Sequence, residues 1–164
     1  MDIVRLTGLH WEAVRRIHEE GISTGSATFE TETEPDWETW NHSHLEFGRL
    51  VALIDGEVAG WAALSAISNR CVYAGVAETS IYIGARHRSR GVGSALMESL
   101  IGESERNGIW TLEARIFPEN EASLRLHERF GFRTVGVRKK LGRLGPTWKD
   151  VLLLERRSER IGVE

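Results

Sequence analysis

The hydrophobic and polar positions of this chain repeat with two periods, and the switches between them mark its elements. Asp2–Leu6 reads as a short strand. Thr7 stands where a helix cap is expected, with Leu9, Val14 and Ile17 on one helical face that Gly21 ends. Residues 22–35, ISTGSATFETETEP, are rich in β-branched and small polar side chains with no helical period. They read as a loop, and its length marks it for function. Asp36 caps a second helix carrying Trp37 and Trp40. RLVALIDGEVAGWAAL then holds two strands around Asp55-Gly56, a dipeptide suited to the positive-φ turn of a hairpin. AETSIYIGA reads as a further strand, and Gly91–Asn107 as a helix with Val92, Leu96, Leu100 and Ile101 inward. TLEARI is a strand, Asn120–Phe130 a helix, and two strands close the chain. No internal repeat or low-complexity linker interrupts this order.

Composition narrows the picture. A chain of 164 residues with 41% hydrophobic content and six tryptophans can bury one sizeable core, which predicts a single domain over residues 1–157 and a charged tail at 158–164. The formal charge of -3 argues against a general nucleic-acid or membrane-surface binder, since these carry a basic excess. No window approaches the roughly 18 apolar residues of a membrane span, and no signal segment opens the chain. A cytoplasmic protein is expected. The single cysteine, Cys71, cannot form an intrachain disulfide and reads as a small half-buried hydrophobe. His10, His18, His42, His44 and His87 show no metal-ligand spacing and read as surface or packing residues, so no metal is expected.

One stretch carries chemistry on its face. RHRSRGVGSAL, residues 86–96, lies between a predicted strand and a predicted helix and alternates three arginines before two glycines. At such a junction the first N–H groups of the helix point outward unpaired, and the macrodipole adds positive potential. The segment reads as a phosphate site in which the backbone from Ser89 through Arg90, Gly91, Val92 and Gly93 to Ser94 supplies donors, with Arg88 beside it. A P-loop requires Lys-Ser/Thr after its glycine, whereas Ser94-Ala95 follows Gly93. A dinucleotide fingerprint requires a small residue where Leu96 stands.

What remains, Arg88-x-x-Gly91-x-Gly93, resembles the pyrophosphate turn of the GNAT superfamily of acetyl-coenzyme A-dependent N-acetyltransferases. NEASLRLHERFGF supplies a second segment in the right order, with Asn120, Ser123, Leu126, His127, Gly131 and Phe132 spaced like the superfamily's coenzyme-binding helix. Within it, ATFET (27–31), RCVYAGVAETSIYI (70–83), the histidine of RLHERFGF and WKDV (148–151) resemble phosphinothricin and methionine-sulfoximine acetyltransferases. The likeness runs from about Ile3 to about Glu155 and implies an α/β GNAT fold, a mixed central sheet flanked by helices. It implies acetyl-coenzyme A as co-substrate, a small amine as acceptor and a homodimer. Asn120 and Ser123 become coenzyme-binding candidates by the same resemblance.

Acetyl transfer needs three events: an ammonium loses a proton, a carbonyl oxygen gains charge, and a thiol departs. Glu78 sits at the start of the strand leading into the phosphate turn, and alternation puts it on one face with Ser80 and Tyr82. The resemblance makes Glu78 the base, directly or through water. It also makes the backbone of Ile81, Tyr82 and Ile83 the contact for the thioester and pantetheine. His127 stands where many GNAT enzymes carry a tyrosine, and an imidazole there can protonate the thiolate or relay the amine's proton. For an amino-acid-like acceptor, Arg70 is the carboxylate candidate, with Phe29 and Tyr73 as walls and Trp37 a further one. The chain departs from similar enzymes at Gly142-Arg143-Leu144-Gly145-Pro146, before Trp148, where Gly-x-Lys-x-Gly is usual. Acetylation of a protein N-terminus or another amine, and an acyl-coenzyme A binding module without turnover, are the alternative readings.

Overall fold

A computed structural model describes residues 1–164. Seven strands form one sheet: β1 (Asp2–Arg5), β2 (Leu50–Ile54), β3 (Glu57–Ala66), β4 (Val76–Ile83), β5 (Thr111–Ile116), β6 (Arg133–Leu144) and β7 (Thr147–Arg157). Their order is β1-β2-β3-β4-β5-β7-β6. Every neighbouring pair is antiparallel except β4 with β5. The expected mixed sheet flanked by helices is what the chain forms. Helices α1 (Trp11–Ser23) and α2 (Trp37–Ser43) accompany one face, and α3 (Val92–Arg106) and α4 (Glu121–Arg129) the other.

Strand β3 shows why the sequence folds this way. Its run WAAL is apolar without alternation because both faces are covered. Trp61 and Ala63 join Val14, Ile17 and Trp40 on the α1/α2 side, while Ala62 and Leu64 join Leu96 and Leu100 on the α3 side. Each fully buried leucine there contributes about 2 kcal/mol of stability. No helix is long and apolar enough to cross a membrane.

Several local expectations are corrected. Leu9 does not face the core: it is 96% exposed, because Gly8–His10 forms a 3-10 turn and α1 begins only at Trp11. Thr7 therefore caps that turn, not the helix, and its N–H donates to His10 Nδ1 at 3.0 Å. Gly21 does not end α1 but lies inside it, where a Cβ would stand 2.7 Å from Cδ1 of Tyr82. The glycine lets the helix approach the ring. Ile101 is only half-buried, against the edge of the core. Cys71 is exposed, in a 3-10 turn over Cys71–Tyr73 that the sequence pattern does not signal. At the start of the expected tail, Ser158 is buried, its N–H donating to Trp110 C=O at 2.7 Å and its hydroxyl to Glu105 at 2.8 Å.

Candidate active site

The parallel pair β4 and β5 is short. It holds three rungs, of which Glu78 opposite Glu113 is the last, and beyond it the strands diverge. The antiparallel β3/β4 ladder continues past this point, and Gly84 N–H donates to Ala59 C=O at 2.8 Å in the same register. Alternation along that ladder commits the N–H groups of Ser80 and Tyr82 to β3 and turns those of Ile81 and Ile83 toward the gap. Two backbone donors thus line an opening in the sheet. Of the three backbone positions expected to contact the thioester and pantetheine, Ile81 and Ile83 have N–H groups free to do so.

On the α1/α2 side of the gap stands Glu78. Its carboxylate is paired with the guanidinium of Arg115, which reaches across from β5 and also lies 3.3 Å from Glu113. Tyr82, on the same face, stacks on Trp61 and contacts His18. Burial pushes its phenol up to about 12, so it stays neutral and can donate. His18 is itself buried, with Nε2 3.1 Å from Glu30, and this contact holds the Glu30 carboxyl below its usual value. Phe29 meets Phe117 edge to face with ring centroids 4.8 Å apart. Gly142 closes on the same ring: a Cβ there would lie 3.0 Å from Cζ of Phe29. The segment that departs from similar enzymes thus begins against the Phe29 wall within one chain. Arg70 and Tyr73 lie in the exposed turn before β4, the guanidinium 5.5 Å from the ring centre. Trp37 is packed away from them, stacked on Trp40.

On the opposite, α3/α4 side of the gap stands His127. It is buried, and desolvation lowers its pKa from the usual histidine value. The neutral ring donates Nδ1–H to Ser123 C=O at 2.7 Å, which leaves Nε2 as a bare acceptor. Nε2 faces the Thr79 hydroxyl at 3.5 Å, and that hydroxyl also reaches Glu113 C=O at 3.3 Å. Asn120 caps α4, its Oδ1 accepting from Ser123 N–H at 3.3 Å. Asn120 and Ser123 therefore orient the helix that carries the histidine. Glu78 and His127 address opposite mouths of one opening.

The phosphate-like turn sits on the His127 side. After a 3-10 turn at Ala85–His87, Ser89 takes φ 60° and Gly91 φ 79°, so the backbone curls before α3 begins at Val92. The first helical bond runs from Ala95 N–H to Gly91 C=O, which leaves the N–H groups of Val92, Gly93 and Ser94 without intrahelical acceptors. Successive N–H groups in such a curl form a concave anion receptor. Gly93 serves packing as well, since a Cβ there would meet Leu126 of α4 at 3.1 Å. Arg88 and Arg90 are exposed beside the turn, and Arg129 of α4 reaches Ser94 Oγ at 3.1 Å. No group of three histidine, cysteine, aspartate or glutamate side chains is arranged to hold a metal.

An anion receptor at a helix start, a sheet split beside it and ionisable groups at both mouths describe an acyl-coenzyme A site. A model of the acetyltransferase (GNAT) family matches residues 11–132. The chain belongs to the GNAT acetyltransferase family. A phosphinothricin N-acetyltransferase of Streptomyces coelicolor is 38% identical over 136 residues, covering 79% of this chain and 80% of that protein. An L-methionine sulfoximine/L-methionine sulfone acetyltransferase of Pseudomonas aeruginosa is 30% identical over 61% of this chain and 58% of its own. Among solved structures, a phosphinothricin acetyltransferase from Sinorhizobium meliloti in complex with acetyl-coenzyme A superposes with TM-score 0.86. Its identity is 27%, over 95% of this chain and 87% of that one. A ribosomal-protein-alanine N-acetyltransferase from Brucella melitensis gives 0.87 at 26% identity, over 96% and 100%.

This GNAT enzyme is an acetyl-coenzyme A-dependent N-acetyltransferase, and its candidate site also brings together residues that no sequence motif marks. Glu113 and Arg115 are visible only as the outward positions of TLEARI, and their partnership with Glu78 appears once β5 is laid beside β4. Thr79 and Arg129 likewise gain their positions from neighbours distant in sequence.

Proposed function

We propose that this acetyltransferase moves the acetyl group of acetyl-coenzyme A onto the α-amine of a small amino-acid-like acceptor, of the chemical kind that phosphinothricin and methionine sulfone represent. The observation that supports the reading is the α1/α2 mouth of the gap, where the Glu78 carboxylate pairs with the Arg115 guanidinium and Phe29 packs on Phe117, the residue that follows β5. The co-substrate's pyrophosphate rests on the curl from Ser89 to Ser94, with Arg88 and Arg90 adding positive potential, and its acyl arm enters between β4 and β5. Ile81 and Ile83 amides face the thioester carbonyl, and a donor of this kind supplies about 3 kcal/mol in the transition state.

Glu78 takes one proton from the acceptor's ammonium. The neutral amine attacks the carbonyl carbon, the C–N bond forms and the C–S bond breaks. The nitrogen's second proton passes through Nε2 of His127 to the departing sulfur, a role that suits a histidine held neutral by burial. Arg70 and Tyr73 border the acceptor's entrance, and Phe29 limits its size.

Acetylation of a peptide N-terminus is the competing reading, favoured by the fold likeness to the Brucella enzyme. Phe29, pressed between Phe117 and Gly142, argues for the smaller acceptor. A thiol-release assay of the purified enzyme over amino acids, amino-acid sulfones and sulfoximines, polyamines and short peptides decides between them. Methionine sulfone or sulfoximine is expected to exceed the peptides in kcat/KM by at least tenfold, and the reverse order ends the proposal.

The same reading includes a homodimer. The edge strand β6 is exposed along most of its length, with Val135, Val137 and Leu141 facing solvent and Trp148 of β7 55% exposed. Apolar side chains on an open edge strand mark an association surface. Sedimentation is expected to report a dimer, and Val137→Lys to shift it toward monomer. A wild-type monomer at micromolar concentration rules the dimer out.

A further inference from the structure

Arg115 is the cation paired with Glu78, the residue proposed as base. It lies two residues beyond the last β4/β5 rung, on the acceptor side of the split. Its guanidinium is shared by Glu78 and Glu113, and its side chain is 39% exposed, so the pair is open to a solute. An α-carboxylate sits two bonds from the α-nitrogen. Whatever cation binds it must therefore adjoin the base that takes the nitrogen's proton. Arg115 touches that base, whereas Arg70 lies in an exposed turn with its guanidinium over Tyr73.

We propose that Arg115 binds the α-carboxylate of the acceptor by ion-pair exchange with Glu78. In the free enzyme Arg115 and Glu78 neutralise each other. A zwitterionic amino acid brings one charge of each sign, so its carboxylate replaces that of Glu78 on the guanidinium while its ammonium replaces the guanidinium on Glu78. Every charge leaves the exchange with a partner, and none is left desolvated alone. The guanidinium fork suits a bidentate carboxylate, and Glu113 keeps the arginine in place meanwhile. A simple amine offers no such exchange. It must compete with Arg115 for Glu78 and leave the guanidinium with Glu113 alone, so the enzyme selects amino acids against amines at the residue beside its base. Arg70 is then left for the oxygen-rich far end of the acceptor. This assignment rests on the amino-acid reading of the acceptor site above and replaces Arg70 as the α-carboxylate partner.

The test compares methionine sulfone with its α-amide as acceptors for wild type, Arg115→Met, Arg115→Lys and Arg70→Ala, each checked for folding by thermal melting and for coenzyme affinity by calorimetry. Loss of a charge-assisted pair predicts that Arg115→Met shrinks the acid-to-amide ratio of kcat/KM by about 10- to 100-fold, mainly through KM of the acid. Arg115→Lys should restore part of the ratio, and Arg70→Ala should preserve it. The proposal is overturned if Arg115→Met slows acid and amide alike, or if Arg70→Ala is the variant that erases the ratio. Should wild type acetylate no amino acid at all, the acceptor reading itself fails, which is a different result from an unchanged ratio in Arg115→Met.

Discussion

Glu78→Gln should lower turnover by about 10²- to 10⁴-fold, the range that loss of a general base gives, while leaving the affinity for acetyl-coenzyme A within a factor of about two. The amide keeps the size of the side chain and can still meet Arg115, so the sheet split should persist. What disappears is the ability to take the ammonium proton. Raising the pH supplies more neutral amine and should rescue this variant progressively. His127→Phe should also slow turnover, but with little rescue, because the step it serves follows attack. Burial lowers the pKa of His127, so the folded protein prefers the neutral ring. The associated stability is full above the usual value of about 6.5 and decreases as pH falls below it. His127→Phe should therefore flatten the acid side of the melting-temperature profile while wild type declines there. Single-turnover rates across pH check the kinetic claim. Wild-type rates in both variants would remove Glu78 and His127 from the mechanism.

The placing of these two groups explains why motif reading reached them and missed their partners. Glu78 and His127 belong to short segments whose residue order is itself the signal, so one strand and one helix suffice to find them. Arg115 has no such signal. In TLEARI the outward positions Glu113 and Arg115 look like a solvated strand face, and only the parallel register of β4 with β5 brings them against Glu78. The individual strands and helices and the hairpin at Asp55-Gly56 are legible because period and turn chemistry are local, whereas the mixed sheet clothed on both faces follows from the family resemblance. Where the local pattern misleads, a competing contact decides. Leu9 fits the helical face by spacing, yet Thr7 and His10 satisfy each other in a tighter turn, and α1 starts one residue after it. Gly21 has the look of a helix stop, and its real reason, the Tyr82 ring, comes from sixty-one positions further along the chain. Phe29, proposed as a wall of the acceptor pocket, is visible in ATFET, but its companions Phe117 and Gly142 come from β5's end and β6, and nothing in that segment points to them.

The turn before α3 offers the sharpest test of how the co-substrate is held. Gly91 has φ 79° and open space where a Cβ would stand, so a side chain there is opposed by backbone conformation and not by crowding. Valine, branched at Cβ, cannot rest in that region without strain of about 1–2 kcal/mol, and the curl should relax and turn its N–H groups away from one another. Losing one or two charge-assisted bonds in this way predicts a rise of about 100-fold in the dissociation constant for acetyl-coenzyme A. Asparagine tolerates the left-handed region, so Gly91→Asn should remain within about fivefold of wild type. The contrast between the two isolates conformation from side-chain bulk. Gly93→Val should weaken binding as well, but through a second route: its Cβ would press on Leu126 at 3.1 Å, so the melting temperature should fall with the affinity. Arg90→Ala should cost threefold or less, and that small effect should vanish at high salt, since an exposed arginine acts through a screened field. Calorimetric titration of the four variants reads all of this directly. Equal, small effects at Gly91 and Arg90 would mean that the backbone curl is not what holds the pyrophosphate.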